Sequence, residues 1–189
     1  MASPAEGFTR LLAILDQMEV QYSVAGSVAS STHGIARTTH DVDLVADLRP
    51  EQLNELADLA SGDFYADAAH MRESLRRGRS FNLIHLESSY KFDIFPLRAD
   101  SYSRTEFGRR AFTPVLSFGE PIECAVATAE DTILRKLEWY RAGGETSERQ
   151  WNDLRGIRMV SGAVLDYEYL RKWAPYLKVD DLLEQLLAE

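Results

Sequence analysis

Asp41-Val42-Asp43-Leu44-Val45 is the stretch whose reading decides the fold, because its apolar and acidic residues alternate as on a half-buried strand. Successive side chains on a strand point to opposite faces, so Asp41 and Asp43 share a face, with Cα atoms roughly 6.5 to 7 Å apart. Two carboxylates so placed can share a pair of metal ions, and oxygen donors of this hardness suit Mg²⁺. A third acid, Asp93, lies inside Tyr90-Lys91-Phe92-Asp93-Ile94-Phe95, whose apolar neighbours read as buried. A carboxylate near a core is costly unless it is paired or metal-bound. Asp93 has two readings, a metal ligand or one half of a salt bridge to Lys91 or Arg98. Three carboxylates, two on one strand and one on a strand that could lie beside it, would repel one another without a cation, and a metal is the simplest relief.

Outward from these strands the pattern is mixed. Leu11, Leu12, Leu15 and Met18 recur at helical spacing within an amphipathic helix from Phe8 to Met18. A strand is expected over Tyr22 to Ala25, then Gly26-Ser27 at its end, and Val28 to His33 as the start of a helix whose first amides are free for an anion. Gly34 ends that helix in this reading. Pro50-Glu51 opens a helix with Leu53, Leu56 and Leu59, while Phe81–Leu86 and Tyr90–Leu97 form two strands joined by Glu87-Ser88-Ser89. The basic cluster Arg72, Arg76, Arg77 and Arg79 reads as a solvated helix face.

After Ala127 the chain turns helical. Thr128 with Asp131 and Ser147 with Gln150 have the spacing of capping boxes, heading helices that run to Gly143-Gly144 and to Gly162. A further helix is expected from about Tyr167 to Trp173, before Pro175, and a last one carries Leu182, Leu183, Leu186 and Leu187. Trp139, Trp151 and Trp173 are expected to fill the core. The boundary falls at 126/127, with an α/β core over 1–126 and a helical extension over 127–189 packed on it.

Composition narrows the class. The chain has 189 residues, 21 Lys and Arg against 30 Asp and Glu, and a formal charge of −9, which argues against coating nucleic acid unless basic residues cluster locally. The lone Cys124 excludes an internal disulfide. The N-terminal residues lack a signal pattern and no apolar run approaches membrane-spanning length, so a reducing cytoplasm without membrane association is the expected setting. His33, His40, His70 and His85 show no metal-ligand spacing beyond the loose pair His33 and His40.

As a set, Gly26-Ser27, Asp41-Val42-Asp43 and Asp93 resemble the signature of the polymerase-beta-like nucleotidyltransferase superfamily. Ala129-Glu130-Asp131, Arg135-Lys136-Leu137 and Arg141 through Gln150-Trp151-Asn152-Asp153-Leu154 are similar to its abortive-infection-type branch, which includes toxins. The resemblance implies an α/β core with a mixed sheet, a nucleoside triphosphate substrate and two Mg²⁺ ions held by Asp41, Asp43 and Asp93. It implies that Gly26 and Ser27 hold the β and γ phosphates, that Asp93 takes a proton from the acceptor hydroxyl, and that pyrophosphate leaves. The acceptor stays open among a small hydroxyl compound, a protein side chain and an RNA 3′ end, and an antitoxin partner is one implied context. In one departure, Ser27 is followed by Val28-Ala29-Ser30-Ser31-Thr32 and a long interval to Asp41.

Lys136 and Asp153 border apolar helix faces and have two readings, a structural ion pair or members of the site, as in the toxin branch. Arg37 reads either as a phosphate ligand or as a solvated arginine. The competing reading for the whole chain is a catalytically silent nucleotide-binding or interaction module that keeps the fold.

Overall fold

The computed structural model describes residues 4–189. Its first part runs α1 (Pro4–Gln17), β1 (Tyr22–Val24), α2 (Gly26–His33), β2 (Asp41–Ala46), a 3-10 turn Pro50–Gln52, α3 (Leu53–Ala60), β3 (Phe64–Tyr65) and α4 (Ala68–Arg76). Then follow β4 (Phe81–His85), β5 (Lys91–Pro96), α5 (Ser101–Arg109), β6 (Ala111–Val115) and β7 (Ile122–Val126). The rest is helical: α6 (Ala129–Ala142), α7 (Glu148–Ser161), a 3-10 turn Gly162–Val164, α8 (Tyr167–Leu177) and α9 (Asp180–Ala188). The strands form one seven-stranded mixed sheet in the order β3-β4-β5-β2-β1-β7-β6, parallel between β2 and β5 and between β1 and β7.

Alternation along the central strands separates a core face from an open face. Val42, Leu44 and Ala46 of β2 and Phe92 and Ile94 of β5 are buried against α1 and α3, where Phe8 stacks on Phe92 with ring centroids 6.3 Å apart. Asp41, Asp43, Lys91 and Asp93 therefore emerge on the opposite face. A second apolar cluster joins α6 through α9, with Leu134, Leu137, Leu154, Ile157, Leu170 and Leu183 at its centre and Tyr102 of α5 packed in. No helix among the described residues is long and apolar enough to cross a membrane.

Several expectations are corrected. Gly34 does end α2 as expected, but its φ of −139° is not the left-handed cap conformation. A Cβ there would meet the Ile157 amide nitrogen at 2.7 Å, and the glycine serves the close approach of the α2 end to α7. The helix expected to end before Pro175 runs on to Leu177 and stops at Lys178, whose φ is 59°. Proline so near a helix end disturbs only the last turn. Thr128 and Ser147 do cap α6 and α7, accepting from the Asp131 and Gln150 amides, but Gln150 Oε1 is buried without a partner, so that reciprocal bond is absent. Trp139 is 58% exposed and lies outside the core. Helix α5 and strands β6 and β7 had no expectation: α5 is mostly polar, and β6 is an edge strand bearing Pro114 and an exposed Phe112.

Candidate active site

The turn from β1 into α2 is built around Gly26, with φ +57°, a region that disfavours side chains. A Cβ at this position would sit 1.8 Å from Asp43 Oδ2, so only glycine lets the start of α2 lie against the β2 carboxylate. Ala25 precedes the helix without a side-chain cap, and its amide donates to the Asp43 carbonyl at 2.9 Å. The first turn of α2, whose amides find no partner within the helix, thus starts beside the Asp43 carboxylate without a side-chain cap, the kind of helix end that receives phosphate oxygens.

Beside this turn, Asp43 and Asp93 are direct register partners, and Asp41 pairs in the same way with Lys91. The Thr39 hydroxyl donates to Asp41 Oδ1 at 2.8 Å, and Lys91 Nζ lies 2.7 Å from Asp93 Oδ2. Of the two readings of Asp93, the salt bridge to Lys91 is present. Burial, then the charges of Asp41 and Asp93, push the Asp43 carboxyl up to about 6.

Across the turn, α2, the segment between α2 and β2, α6 and α7 bring Ser27, Arg37, Lys136 and Asp153 into one chain of contacts. The Arg37 guanidinium donates to Asp153 Oδ1 at 2.7 Å, to Asp153 Oδ2 at 2.8 Å and to Ser27 Oγ at 2.6 Å. Lys136 Nζ donates to Asp153 Oδ2 at 2.8 Å. Arg37 is therefore no solvated arginine, and Lys136 and Asp153 do pair with each other. Burial lowers the Lys136 amine below its ordinary value, against the pull of Asp153. Burial pushes Asp153 up, but hydrogen bonds from Arg37 and Lys136 outweigh it and hold the carboxylate below its usual range.

These groups line a cleft of about 1010 Å³ between the sheet and the helices, bordered by Ser27, Arg37, Asp41, Asp43, Lys136 and Asp153. Its far side carries residues to which the sequence reading gave no site role. Glu106 of α5 is buried, its carboxyl pushed up to about 7 by burial, with Arg135 pulling the other way from 2.6 Å. Arg135 also reaches Glu138 at 2.8 Å and Ser103 Oγ at 2.7 Å, and Phe95 and Trp139 form an aromatic edge with centroids 6.4 Å apart. Six of the chain's 21 Lys and Arg line the cleft against five of its 30 Asp and Glu, so this surface escapes the acidic balance of the whole. Arg79, taken as part of a solvated helix face, lies beyond α4 and lines the cleft, while Arg76 and Arg77 are exposed and pair with Glu73. His33 instead contacts the Ala127 carbonyl at 2.7 Å.

The donor chemistry fits divalent metal: three carboxylates on one face of adjacent strands, one of them with its carboxyl raised by burial and then by its acidic neighbours. The gathering is incomplete, since among the described residues no three His, Cys, Asp or Glu side chains are close enough to hold an ion as they stand.

No protein-family model matches the sequence, and no curated protein matches it. Solved structures do match the fold. The antibiotic-resistance factor ANT(2'')-Ia shares 16% identity over 95% of this chain and 94% of its own, with a TM-score of 0.52. The lincosamide antibiotic adenylyltransferase LnuA, lincomycin-bound, shares 13% over 85% of this chain and 99% of its own, with a TM-score of 0.54. An antigenic nucleotidyltransferase-like protein from Paracoccidioides brasiliensis shares 16% over 99% of this chain and 94% of its own, also at 0.54. At these identities the likeness is one of fold: the mixed sheet flanked by helices is that of nucleotidyltransferase structures.

Proposed function

We propose that the chain is a Mg²⁺-dependent nucleotidyltransferase that moves a nucleoside monophosphate from a nucleoside triphosphate to a hydroxyl acceptor. The observation that carries this reading is the contact of the Gly26 turn with Asp43, itself opposite Asp93 in the sheet, which sets open helix amides beside clustered carboxylates. Polyphosphate needs donors and metal needs acids, and both are within one turn of each other.

Asp41, Asp43 and Asp93 hold the two ions, which when bound neutralise phosphate charge and polarise the reacting phosphoryl group. Ser27 and the amides after Gly26 receive the β and γ phosphates. Arg37, bonded to both Ser27 and Asp153, fixes the Ser27 hydroxyl at the mouth of the helix. Lys136 supplies a buried positive charge to the phosphates as charge builds in the transition state. Asp93 accepts the acceptor's proton, the hydroxyl oxygen bonds to the α-phosphorus, and the bond to the departing pyrophosphate breaks.

The acceptor is a small hydroxyl compound, a protein side chain or an RNA 3′ end, and the similar fold of two antibiotic-linked proteins supports the first. Within the superfamily we place the chain closest to the abortive-infection-type branch, with an antitoxin as a partner. The meeting of Lys136 and Asp153 in the cleft supports this. Mg²⁺ and each of four triphosphates labelled at the α position, offered with an aminoglycoside, a lincosamide, cell RNA and lysate protein, test it. Label should pass to one acceptor class, and label on none with any triphosphate would refute the proposal.

A further inference from the structure

Strand β5 brings a fourth charged side chain to the carboxylates, and the proposed reaction gives it no task. Lys91 precedes Asp93 by two residues on the same strand face, and its register partner is Asp41, as that of Asp93 is Asp43. Its Nζ lies 2.7 Å from Asp93 Oδ2. Lys91 therefore stands opposite Asp41 and beside Asp93 on the strand face that also carries Asp43. An isolated surface ion pair contributes little. This one is different in place, because it sits where three acids converge and where no three of them are gathered for an ion.

We propose that Lys91 is a tethered cation of the carboxylate cluster, taking the charge-balancing role of a divalent ion and displaced when one binds. This rests on the reading of Asp41, Asp43 and Asp93 as metal ligands. The exchange is sterically open, since the Lys91 side chain is 42% exposed and its ammonium can return to water on a flexible four-carbon stem. Two consequences follow from charge. The empty cluster is relieved of part of its repulsion, and each entering ion must first break the Lys91–Asp93 contact, which lowers affinity for free metal. A singly charged ion gains little over the ammonium it replaces, so the exchange favours doubly charged ions.

Calorimetric titration of nucleotide-free full-length protein with Mn²⁺ tests this on wild type, Lys91→Met, Lys91→Gln and Lys91→Arg. Removing a positive charge at contact distance should tighten Mn²⁺ binding at least about tenfold in the Met and Gln variants, with Arg staying near wild type. If wild type binds Mn²⁺ and both neutral variants bind no more tightly, the tethered-cation inference is wrong and the metal reading survives. If neither wild type nor either neutral variant takes up Mn²⁺, the metal reading fails and carries this inference with it.

Discussion

Asp43 and Asp93 are direct partners across the parallel pairing of β2 and β5, so their carboxylates leave the sheet side by side on the cleft face. The Asp43 carboxyl, moved from 3.8 to about 6, records burial first and then the charges of Asp41 and Asp93. Because the folded value is the higher one, the native state binds this proton more tightly than the unfolded chain. Stability contributed by the neutral form is therefore lost as pH rises from about 4 through about 6, at a cost on the order of 3 kcal/mol. Asp43→Asn keeps the neutral shape. In chelator-treated protein it should exceed wild type by about 2 to 3 kcal/mol at pH 8 and match it near pH 4, measured by urea unfolding at both values. Equal stability at pH 8 would show that the acids do not strain one another.

Gly26→Ala should be among the most damaging single methyl additions in the chain. It forces a side chain into φ +57° and drives Cβ to 1.8 Å from Asp43 Oδ2. A loss of at least about 1 to 2 kcal/mol is expected from the backbone alone, with more from displacing Asp43. Combining it with Asp43→Gly should recover the steric part and leave the backbone part. Urea melts of the two single variants and the double variant separate the terms.

The three-way contact at Asp153 changes what removal of each partner should do. In Lys136→Met the carboxylate keeps both hydrogen bonds from Arg37, so the fold should lose no more than about 1.5 kcal/mol. In Asp153→Leu, Arg37 and Lys136 lose the one carboxylate that both contact, and the loss should reach about 3 to 5 kcal/mol. Adding Lys136→Met to Asp153→Leu should then restore part of the stability. Nucleotide transfer should be lost in Lys136→Met despite its near-native melt. A Lys136→Met variant that transfers at the wild-type rate would remove Lys136 from the site.

The parts of this molecule legible in its sequence are those fixed by short-range physics. Asp41-Val42-Asp43 alternates because one strand face is core and the other is cleft, and Asp93 repeats the pattern on β5. Caps at Thr128 and Ser147 are local and were equally readable. What escaped depends on distant partners. Arg37 reads from the sequence as a phosphate ligand or a solvated arginine, and its actual partner, Asp153 on α7, lies 116 residues away. Glu106 and Arg135 belong to helices with mixed polar faces, and only packing of α5 on α6 turns them toward each other in the cleft. Gly34 ends α2 as its position suggests, but the contact that demands glycine there, the Ile157 backbone, lies across the fold.

The central claim is that the carboxylates beside the α2 turn move a nucleoside monophosphate, not the terminal phosphate. Parallel reactions with triphosphate labelled at the α or the γ position, in Mg²⁺ with lysate as the acceptor source, test it most directly. The account predicts α label on an acceptor and γ label in pyrophosphate, with both lost in Asp43→Asn and in the presence of chelator. Transfer of γ label to the acceptor, or α transfer undiminished by Asp43→Asn, would contradict it.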